Sequence, residues 1–215
     1  MTRIILVRHG QSMGNLEGYF QGRKDVALSD MGKKQAELVA KRLKNENIDI
    51  IVSSPLQRAY NTALCINKYH NVPLITDDNI IEISMGDWDG KYVSDMKEKY
   101  PEQMDDWWNN PHKFSAPDGE SMVDVYSRVG SALQKIINNY REKTICIVSH
   151  GCAIRCMMCN IYNKPVTEIN SIGWGDNTSV NIVECDGLYK NIKILVENDS
   201  KHLSSNFKCD TWVTK

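Results

Sequence analysis

Short apolar runs recur along the chain and predict the strands of a sheet. The first, residues 3–7, is β-branched and ends in a polar cluster, which is typical of a buried parallel strand. Further apolar runs predict strands at residues 48–52, about 72–75 and 144–149. Two late runs, at about 178–185 and 189–196, flank Asp186 and Gly187 and predict an antiparallel hairpin.

Segments of helical period fill the intervals between these runs. Beyond Ser29, a candidate N-cap, apolar residues predict one helix, and Pro55 is expected in the first turn of the next, where its missing N–H would be unpaired in any case. The longest periodic segment begins at Ser121, and another helix is expected at 151–162. Because strands alternate with helices, we predict an α/β fold, a three-layer α/β/α sandwich around a mostly parallel sheet.

One stretch, residues 82 to about 120, departs from this alternation. It contains six glycine and proline residues and three of the five tryptophans, a composition that predicts loops and short helices. We therefore expect a small cap over the sheet, within a single domain that spans residues 1–215.

Composition and charge argue against several classes of binding partner for this protein. The 215 residues are 41% apolar and 25% charged, as in an ordinary globular domain. A net charge of −1, with both signs mixed along the chain, argues against nucleic acid or an anionic membrane as a partner. No apolar run approaches the roughly 20 residues of a membrane span, and charge appears too early for a signal peptide. We expect a cytoplasmic protein, with a homodimer as one open alternative.

The seven cysteines lack the spacing of a disulfide framework, which favours a reducing compartment. Cys152, Cys156 and Cys159 could form part of a zinc site, but no second pair of ligands follows at suitable spacing. They also fall at i, i+4 and i+7, on one face of a predicted helix, where cysteine serves as a small apolar residue. We therefore favour packing over metal binding or redox chemistry and expect no metal site.

The residues that follow the predicted strands carry the candidate chemistry. In a parallel sheet, ligands bind outside the carboxyl ends of the strands. The first strand leads into Arg8 and His9, the second into a Ser-Ser-Pro segment with Arg58 a turn later, and the fourth into His150 and Gly151. We therefore expect two arginines and two histidines at one edge of the sheet.

This combination of side chains is suited to phosphoryl transfer. Two guanidinium groups can bind phosphate oxygens bidentately, with a charge that does not titrate in the working range. One imidazole beside them can attack phosphorus to form a covalent phosphohistidine, while the other donates a hydrogen bond to the equatorial oxygens. A single His-Gly pair after a strand is usually a turn, but two such pairs with accompanying arginines favour a catalytic site.

A series of short motifs runs in order from residue 3 to about 180. It begins with the string Leu-Val-Arg-His-Gly-Gln-Ser-Met-Gly-Asn at residues 6–15. The other members are Gln21-Gly22, the spaced set Asp25, Leu28, Gly32, Gln35 and Ala36, then residues 53–59, Glu82, residues 86–90 and residues 149–151. As a set these motifs resemble the histidine phosphatase superfamily, also called the phosphoglycerate mutase-like family, whereas any one alone would be a weak signal.

The resemblance implies a mechanism and the residues that perform it. His9 would become phosphorylated, and Arg8, Arg58 and His150 would surround the phosphoryl group. Glu82 matches the carboxylate that family members use as the proton donor. The family's chemistry implies no metal and no organic cofactor, because the arginines supply the positive charge that a cation would otherwise bring.

The resemblance also implies binding residues and leaves alternatives open. Further contacts to a small-molecule phosphate ester would come from Asn15, Gln21, Gly22 and the backbone amide of Gly151. If Glu82 is only a solvated acid before a loop, the next candidates for the proton donor are Asp87 and Asp89, in the neighbouring loop.

The cap distinguishes the mutases of this family from its phosphatases. Mutases resemble one another in a longer cap with paired arginines for a second anionic group, but residues 105–114 here hold two aspartates and three bulky aromatic residues. We therefore predict a phosphomonoesterase acting on a small phosphorylated metabolite through a phosphohistidine on His9. The alternatives are a phosphoglycerate mutase, α-ribazole phosphatase as a specific phosphatase, and a non-enzymatic phosphate-binding module, which the intact site residues argue against. An aromatic cap favours a substrate with an apolar or heterocyclic portion, unless Trp107 and Trp108 are simply the cap's own core.

Overall fold

The computed structural model describes residues 1–186 and 191–208. In these ranges the strands are β1 Thr2–Arg8, β2 Ile50–Ser53, β3 Leu74–Thr76, β4 Thr144–Ser149, β5 Val180–Cys185 and β6 Lys193–Asp199. The α-helices are α1 Met13–Glu17, α2 Asp30–Leu43, α3 Gln57–Asn67, α4 Val93–Lys99, α5 Pro101–Asn109, α6 Met122–Asn139 and α7 Gly151–Ile161. None of the helices in the described ranges has the length and apolar character that crossing a bilayer requires.

All six described strands belong to one sheet, in the order β3-β2-β4-β1-β5-β6. The first four in this order are mutually parallel, while β5 runs antiparallel to β1, and β6 antiparallel to β5. The amino-terminal end of β5 therefore lies at the same edge as the carboxyl ends of the parallel strands. The mostly parallel sheet and the late antiparallel pair are both confirmed.

Alternating side chains of β1 enter two different hydrophobic clusters, one on each face of the sheet. Ile4 and Leu6 pack with apolar residues of α6 and α7, whereas Ile5 and Val7 pack with apolar residues of α2 and α3. A strand covered on both faces needs apolar residues at every position, which explains its continuous apolar run. The three-layer α/β/α arrangement is confirmed.

The start of α3 differs from the sequence prediction. Pro55 was expected in its first turn, but the helix begins at Gln57, with Leu56 as an N-cap of extended backbone, so Pro55 lies before the helix. The Asp25 carboxylate accepts a hydrogen bond from the Gln57 backbone N–H at 2.7 Å. A side chain from another segment thus satisfies the free donor at Gln57 and fixes where the helix starts.

The ends of the late hairpin also differ in detail. Its second strand begins at Lys193 rather than near residue 189. The predicted turn residue Gly187 lies outside the described residues. By contrast, Ser29 is the N-cap of α2, as predicted, and Ser121 is the N-cap of α6; each accepts a hydrogen bond from a backbone N–H of the first turn.

Residues 82–120, the cap segment, contain α4, α5 and short 3₁₀ turns. Trp88, Trp107 and Phe114 are buried there, with ring centroids 4.8 Å apart for Trp107 and Phe114 and 5.6 Å apart for Trp88 and Phe114. These rings belong to the same hydrophobic cluster as α6 and α7. Trp107 is therefore part of the cap's own core.

Cys152, Cys156 and Cys159 are buried in the same apolar cluster, along one face of α7. The Sγ atom of Cys152 lies 3.3 Å from Sδ of Met122 on the neighbouring helix. Packing therefore accounts for these three thiols. In the described part of the chain, no group of three or more His, Cys, Asp and Glu side chains has an arrangement that could hold a metal ion.

Candidate active site

A cleft with about 470 Å³ of empty space opens at the carboxyl edge of the parallel strands. Of the nine residues that the sequence placed in the site, the cleft is lined by eight: Arg8, His9, Asn15, Gln21, Gly22, Arg58, Glu82 and Gly151. The ninth, His150, is fully buried behind this lining, with its ring centroid 5.1 Å from that of His9. Segments far apart in sequence therefore meet at the carboxyl ends of the parallel strands, where the sequence analysis placed these residues.

His9 is buried, and its ring carries a defined tautomer. Its Nδ1 lies 2.6 Å from the carbonyl oxygen of Gly10, which can only accept, so the proton resides on Nδ1. The lone pair of Nε2 is then available for attack. Burial, followed by the charges of Arg58 and Arg8, holds the pKa of His9 well below its usual range, so the ring is neutral near pH 7.

The backbone of His9 is fixed on both sides. Its N–H donates to the carbonyl oxygen of Ser149 at 3.0 Å, which extends the pairing of β1 with β4 by one residue. Its carbonyl oxygen accepts from Nδ2 of Asn177 at 3.0 Å. The imidazole therefore projects from a rigid strand end, which limits how far Nε2 can move relative to the arginines.

His150 is the N-cap of α7, and its ring is also neutral. Its Nε2 lies 2.7 Å from Oγ of Ser54, which accepts from the Leu56 N–H and can therefore donate to the ring. In the tautomer in which the Ser54 hydroxyl donates to Nε2, Nδ1 carries the proton; Nδ1 is buried and has no partner within residues 1–186 and 191–208. Burial, together with the charges of Arg58 and Arg8, lowers the pKa of His150 well below its usual range.

Backbone carbonyls orient the two guanidinium groups. Arg58 donates to the carbonyl oxygens of Gly22 at 2.8 Å and Lys24 at 2.9 Å, and Arg8 donates to that of Gly175 at 2.6 Å. Carbonyls carry no net charge, so these bonds leave the positive charge of both groups intact. Burial lowers the pKa of Arg58 to about 10, which still leaves it charged at neutral pH. Its Nε is buried and lacks a partner among the described residues.

Two residues of the cleft lining, Gly22 and Gly151, have no side chain that would fill the space around their backbone. Gly22 has a φ of +46°, and a Cβ there would collide with the Asp89 carboxylate and the backbone of Met85. Gly151 is the first residue of α7, so its N–H has no acceptor within the helix. A Cβ on Gly151 would lie 3.4 Å from Cζ of Arg8 and 3.4 Å from Cζ3 of Trp174, both of them residues of the cleft lining.

Glu82 lies against the first turn of α7. Its Oε1 accepts from the backbone N–H groups of Ile83 at 2.9 Å and Ala153 at 3.1 Å, and its Oε2 accepts from that of Cys152 at 3.1 Å. The carboxylate is thereby held one residue from Gly151. Of the other carboxyl groups in this region, Asp89 lies behind the Gly22 backbone rather than in the cleft lining.

Asn15 and Gln21 are positioned by Ser12. The Ser12 N–H donates to Oδ1 of Asn15 at 3.2 Å, as part of the capping box of α1, and Nδ2 of Asn177 approaches the same oxygen at 3.4 Å. Oγ of Ser12 lies 2.5 Å from Oε1 of Gln21. Because its oxygen faces these partners, Asn15 presents its amide nitrogen as the group that remains for a ligand.

The sequence reasoning missed the segment that precedes β5. Asn177 holds the His9 carbonyl, and Trp174 lines the cleft with its ring centroid 6.0 Å from that of Trp107. Cζ of Arg155 lies 4.6 Å from the Trp174 ring centroid, so a cation–π contact supports this wall. The available signal was strand direction, because residues that enter an antiparallel strand share an edge with residues that leave a parallel one.

The α/β fold and the cleft at the carboxyl edge of its sheet are those of an enzyme that transfers phosphoryl groups. The sequence model of the histidine phosphatase superfamily (branch 1) matches residues 4–198, and the chain belongs to this family. Phosphoserine phosphatase 1 of Hydrogenobacter thermophilus is 40% identical over 186 residues, which cover 86% of this chain and 88% of that protein.

Solved structures agree with this assignment. YhfR of Bacillus stearothermophilus has a TM-score of 0.88 and 31% identity, covering 94% of this chain and 99% of that one. A phosphoserine phosphatase variant from Entamoeba histolytica, solved with phosphoserine, has a TM-score of 0.81 and 28% identity, covering 95% and 100% of the two chains. The predicted family, fold class and phosphomonoesterase activity are confirmed.

Proposed function

We propose that the protein hydrolyses O-phosphoserine and related small phosphomonoesters through a phosphohistidine on His9. The observation that carries the proposal is a neutral imidazole, with its proton on Nδ1, that lines the same cleft as two buried guanidinium groups. The similarity to phosphoserine phosphatase 1 supports the choice of substrate. In this proposal Arg8 and Arg58 bind the phosphoryl oxygens, together with Nδ1–H of His150, the amide nitrogen of Asn15 and the N–H of Gly151.

The reaction then proceeds in two steps. Nε2 of His9 attacks phosphorus, the bond from phosphorus to the ester oxygen breaks, and Glu82 gives a proton to the departing oxygen. Water next attacks the phosphohistidine, Glu82 takes a proton from it, and the N–P bond breaks to release inorganic phosphate. His9 returns to its neutral form, because the proton on Nδ1 remains bonded to the Gly10 carbonyl throughout.

Hydrolysis is favoured over mutase activity by the charge of the cleft. Among the described lining residues, the arginines are Arg8 and Arg58, and the segment 105–114 contributes Trp107. The second phosphoryl group of a bisphosphate would find no further arginine there. We expect hydrolysis of monoesters without any bisphosphate primer; mutase turnover above phosphatase turnover in the same preparation would instead support a phosphoglycerate mutase.

A second candidate substrate class is favoured by the apolar wall of the cleft. Phe20, Met85, Trp107 and Trp174 line the cleft, and the buried Nε1–H of Trp107 has no acceptor in the described part of the chain. A heterocyclic leaving group, such as that of α-ribazole phosphate, could pack on these rings and accept this hydrogen bond.

The two classes are separated by kcat/KM values measured on a panel of substrates. The panel consists of O-phosphoserine, 3-phosphoglycerate, α-ribazole phosphate and an aryl phosphate. We expect O-phosphoserine to exceed the others by about tenfold or more, which corresponds to roughly 1.4 kcal/mol of transition-state binding. A preference for α-ribazole phosphate that Trp174→Ala abolishes would support the second candidate.

The proposal also places the enzyme in the cytoplasm. All six cysteines in the described residues are free thiols, which a reducing compartment maintains. Fractionation of cells that produce the protein tests the location. Light scattering of the purified protein distinguishes a monomer from the homodimer that the sequence left open.

A further inference from the structure

Arg128, on α6, forms a bidentate ion pair outside the cleft lining. Its Nε donates to Oε1 of Glu120 and its Nη2 to Oε2 of Glu120, each at 2.9 Å. The two side chains are largely buried, with 16% and 18% of their surface exposed. Burial acts to raise the pKa of Glu120, but the hydrogen bonds from Arg128 and Ser84 outweigh it and lower the pKa, so the pair stays charged.

The same guanidinium holds the backbone that leads to Glu82. Its Nη1 donates to the carbonyl oxygens of Asn79 at 2.9 Å and Ile81 at 3.0 Å, and its Nη2 lies 3.4 Å from that of Glu82. A planar fork with five donors can satisfy a carboxylate and several carbonyls at once, which the single ammonium of lysine cannot do.

Glu120 holds the backbone on the other side of Glu82. Its Oε2 accepts from the Ser84 N–H at 3.0 Å, and its own N–H donates to the Ser84 carbonyl at 2.9 Å. The backbone of Glu82 is therefore fixed from both directions. Since the carboxylate reaches α7 through a short side chain, its position depends on this backbone.

Arg23 extends the arrangement to the opposite side of the cleft. Its Nη2 lies 2.8 Å from Oε1 of Glu120, and its Nε lies 3.5 Å from the Glu82 carbonyl. The preceding residue, Gly22, accepts a hydrogen bond from Arg58. Arg23, Glu120 and Arg128, the ionic triad, thus connect the loop that supports the arginine clamp with the segment that carries Glu82.

We infer that the ionic triad is a positioning device that sets the Glu82 carboxylate for proton transfer, with Arg128 as its principal positioning residue. The inference rests on the proposed function, because it requires Glu82 to be the acid. No member of the triad lines the cleft, so Arg128 acts through Glu82 and not on the substrate. Its loss should impair departure of the ester oxygen and leave the arginine clamp intact.

The test compares two leaving groups in single-turnover phosphorylation of His9. O-phosphoserine releases an alkoxide that needs a proton, whereas an aryl phosphate releases a phenolate that departs with little help. Since general acid catalysis is typically worth about 10²- to 10⁴-fold, we expect Arg128→Lys to slow the alkyl ester about 10- to 100-fold and the aryl ester only slightly. Added guanidinium should partly restore the alkyl rate of Arg128→Ala.

A double-mutant cycle shows whether Arg128 works through Glu82. If it does, Arg128→Lys adds little to the loss that Glu82→Gln already causes with the alkyl ester. Arg141→Lys, next to the end of the same helix, is the matched control; its exposed side chain bonds Asn138, and it should leave both rates unchanged. Arg23→Met gives a second triad variant if the Arg128 variants fold poorly by circular dichroism.

The outcomes distinguish the inference from the proposed function. Equal losses for both leaving groups in folded triad variants, or fully additive losses in the cycle, would overturn the positioning role while Glu82→Gln remained selective for the alkyl ester. If Glu82→Gln itself showed no selectivity, its role as acid in the proposed function would fail, and the positioning role would fail with it.

Discussion

Replacing Arg58 with lysine keeps the charge of the clamp but removes its geometry. The guanidinium uses two nitrogens on the carbonyls of Gly22 and Lys24, at 2.8 and 2.9 Å, while its buried Nε has no partner among the described residues. The three donors of an ammonium lie on one nitrogen, so lysine cannot reproduce the planar spacing at which the guanidinium holds both carbonyls and keeps a further donor for a phosphoryl oxygen. Loss of one such donor typically costs about 3 to 4 kcal/mol of transition-state stabilisation, so we expect kcat to fall about 10²- to 10³-fold.

The same substitution should also destabilise the loop that contains Gly22 and Lys24. A buried carbonyl left without its donor costs about 1 to 3 kcal/mol, so the melting temperature of Arg58→Lys should fall as well. The assay is kcat and kcat/KM with an aryl phosphate, together with thermal unfolding. Arg42→Lys is the matched control, because Arg42 pairs with Asp199 away from the cleft and its substitution should not affect turnover. An Arg58→Lys rate within about threefold of wild type would refute the requirement for guanidinium geometry at this position.

Three further predictions follow from the same geometry. His9→Ala should abolish turnover and the acid-labile phosphoenzyme, whereas wild-type turnover should persist in excess chelator; loss of activity with chelator would contradict the mechanism. Gly22→Ala should lower both the melting temperature and kcat, because its φ of +46° and the nearby Asp89 exclude a Cβ; unchanged values would contradict this. Because His9 and His150 are neutral in the fold but protonate near pH 6.5 when unfolded, the free energy of unfolding should fall below that pH, by up to about 1.4 kcal/mol per pH unit for each, in urea titrations at several pH values.

Strand-end residues were the part of the site that sequence could predict. The apolar run that forms β1 ends at Arg8, so the side chains that follow it must lie at the sheet edge. The same reasoning located His150 after β4. The placement of these residues at the sheet edge could be predicted because strand direction in the parallel part of the sheet follows from the alternation of strands and helices.

Contacts across the fold could not be predicted in this way. Asn177 and Trp174 precede a strand, and their place in the site depends on β5 being antiparallel to β1, a pairing between residues far apart in sequence. Arg128 occupies a polar position of an amphipathic helix, which by itself indicates only an exposed face. Its carbonyl partners lie 46 to 49 residues earlier in the chain.

Ser84 and Glu120 bring the two ends of the intervening chain to one point, through the hydrogen bonds between them. The clamp, by contrast, is anchored on β1 and α3. Residues 85–119 can therefore be exchanged as a unit for the corresponding segment of a related enzyme, because both junctions with the rest of the chain lie side by side, at Ser84 and Glu120. A chimera that keeps this junction and retains partners for Phe20 and Trp174 should acquire the donor's leaving-group preference without alteration of its phosphoryl chemistry.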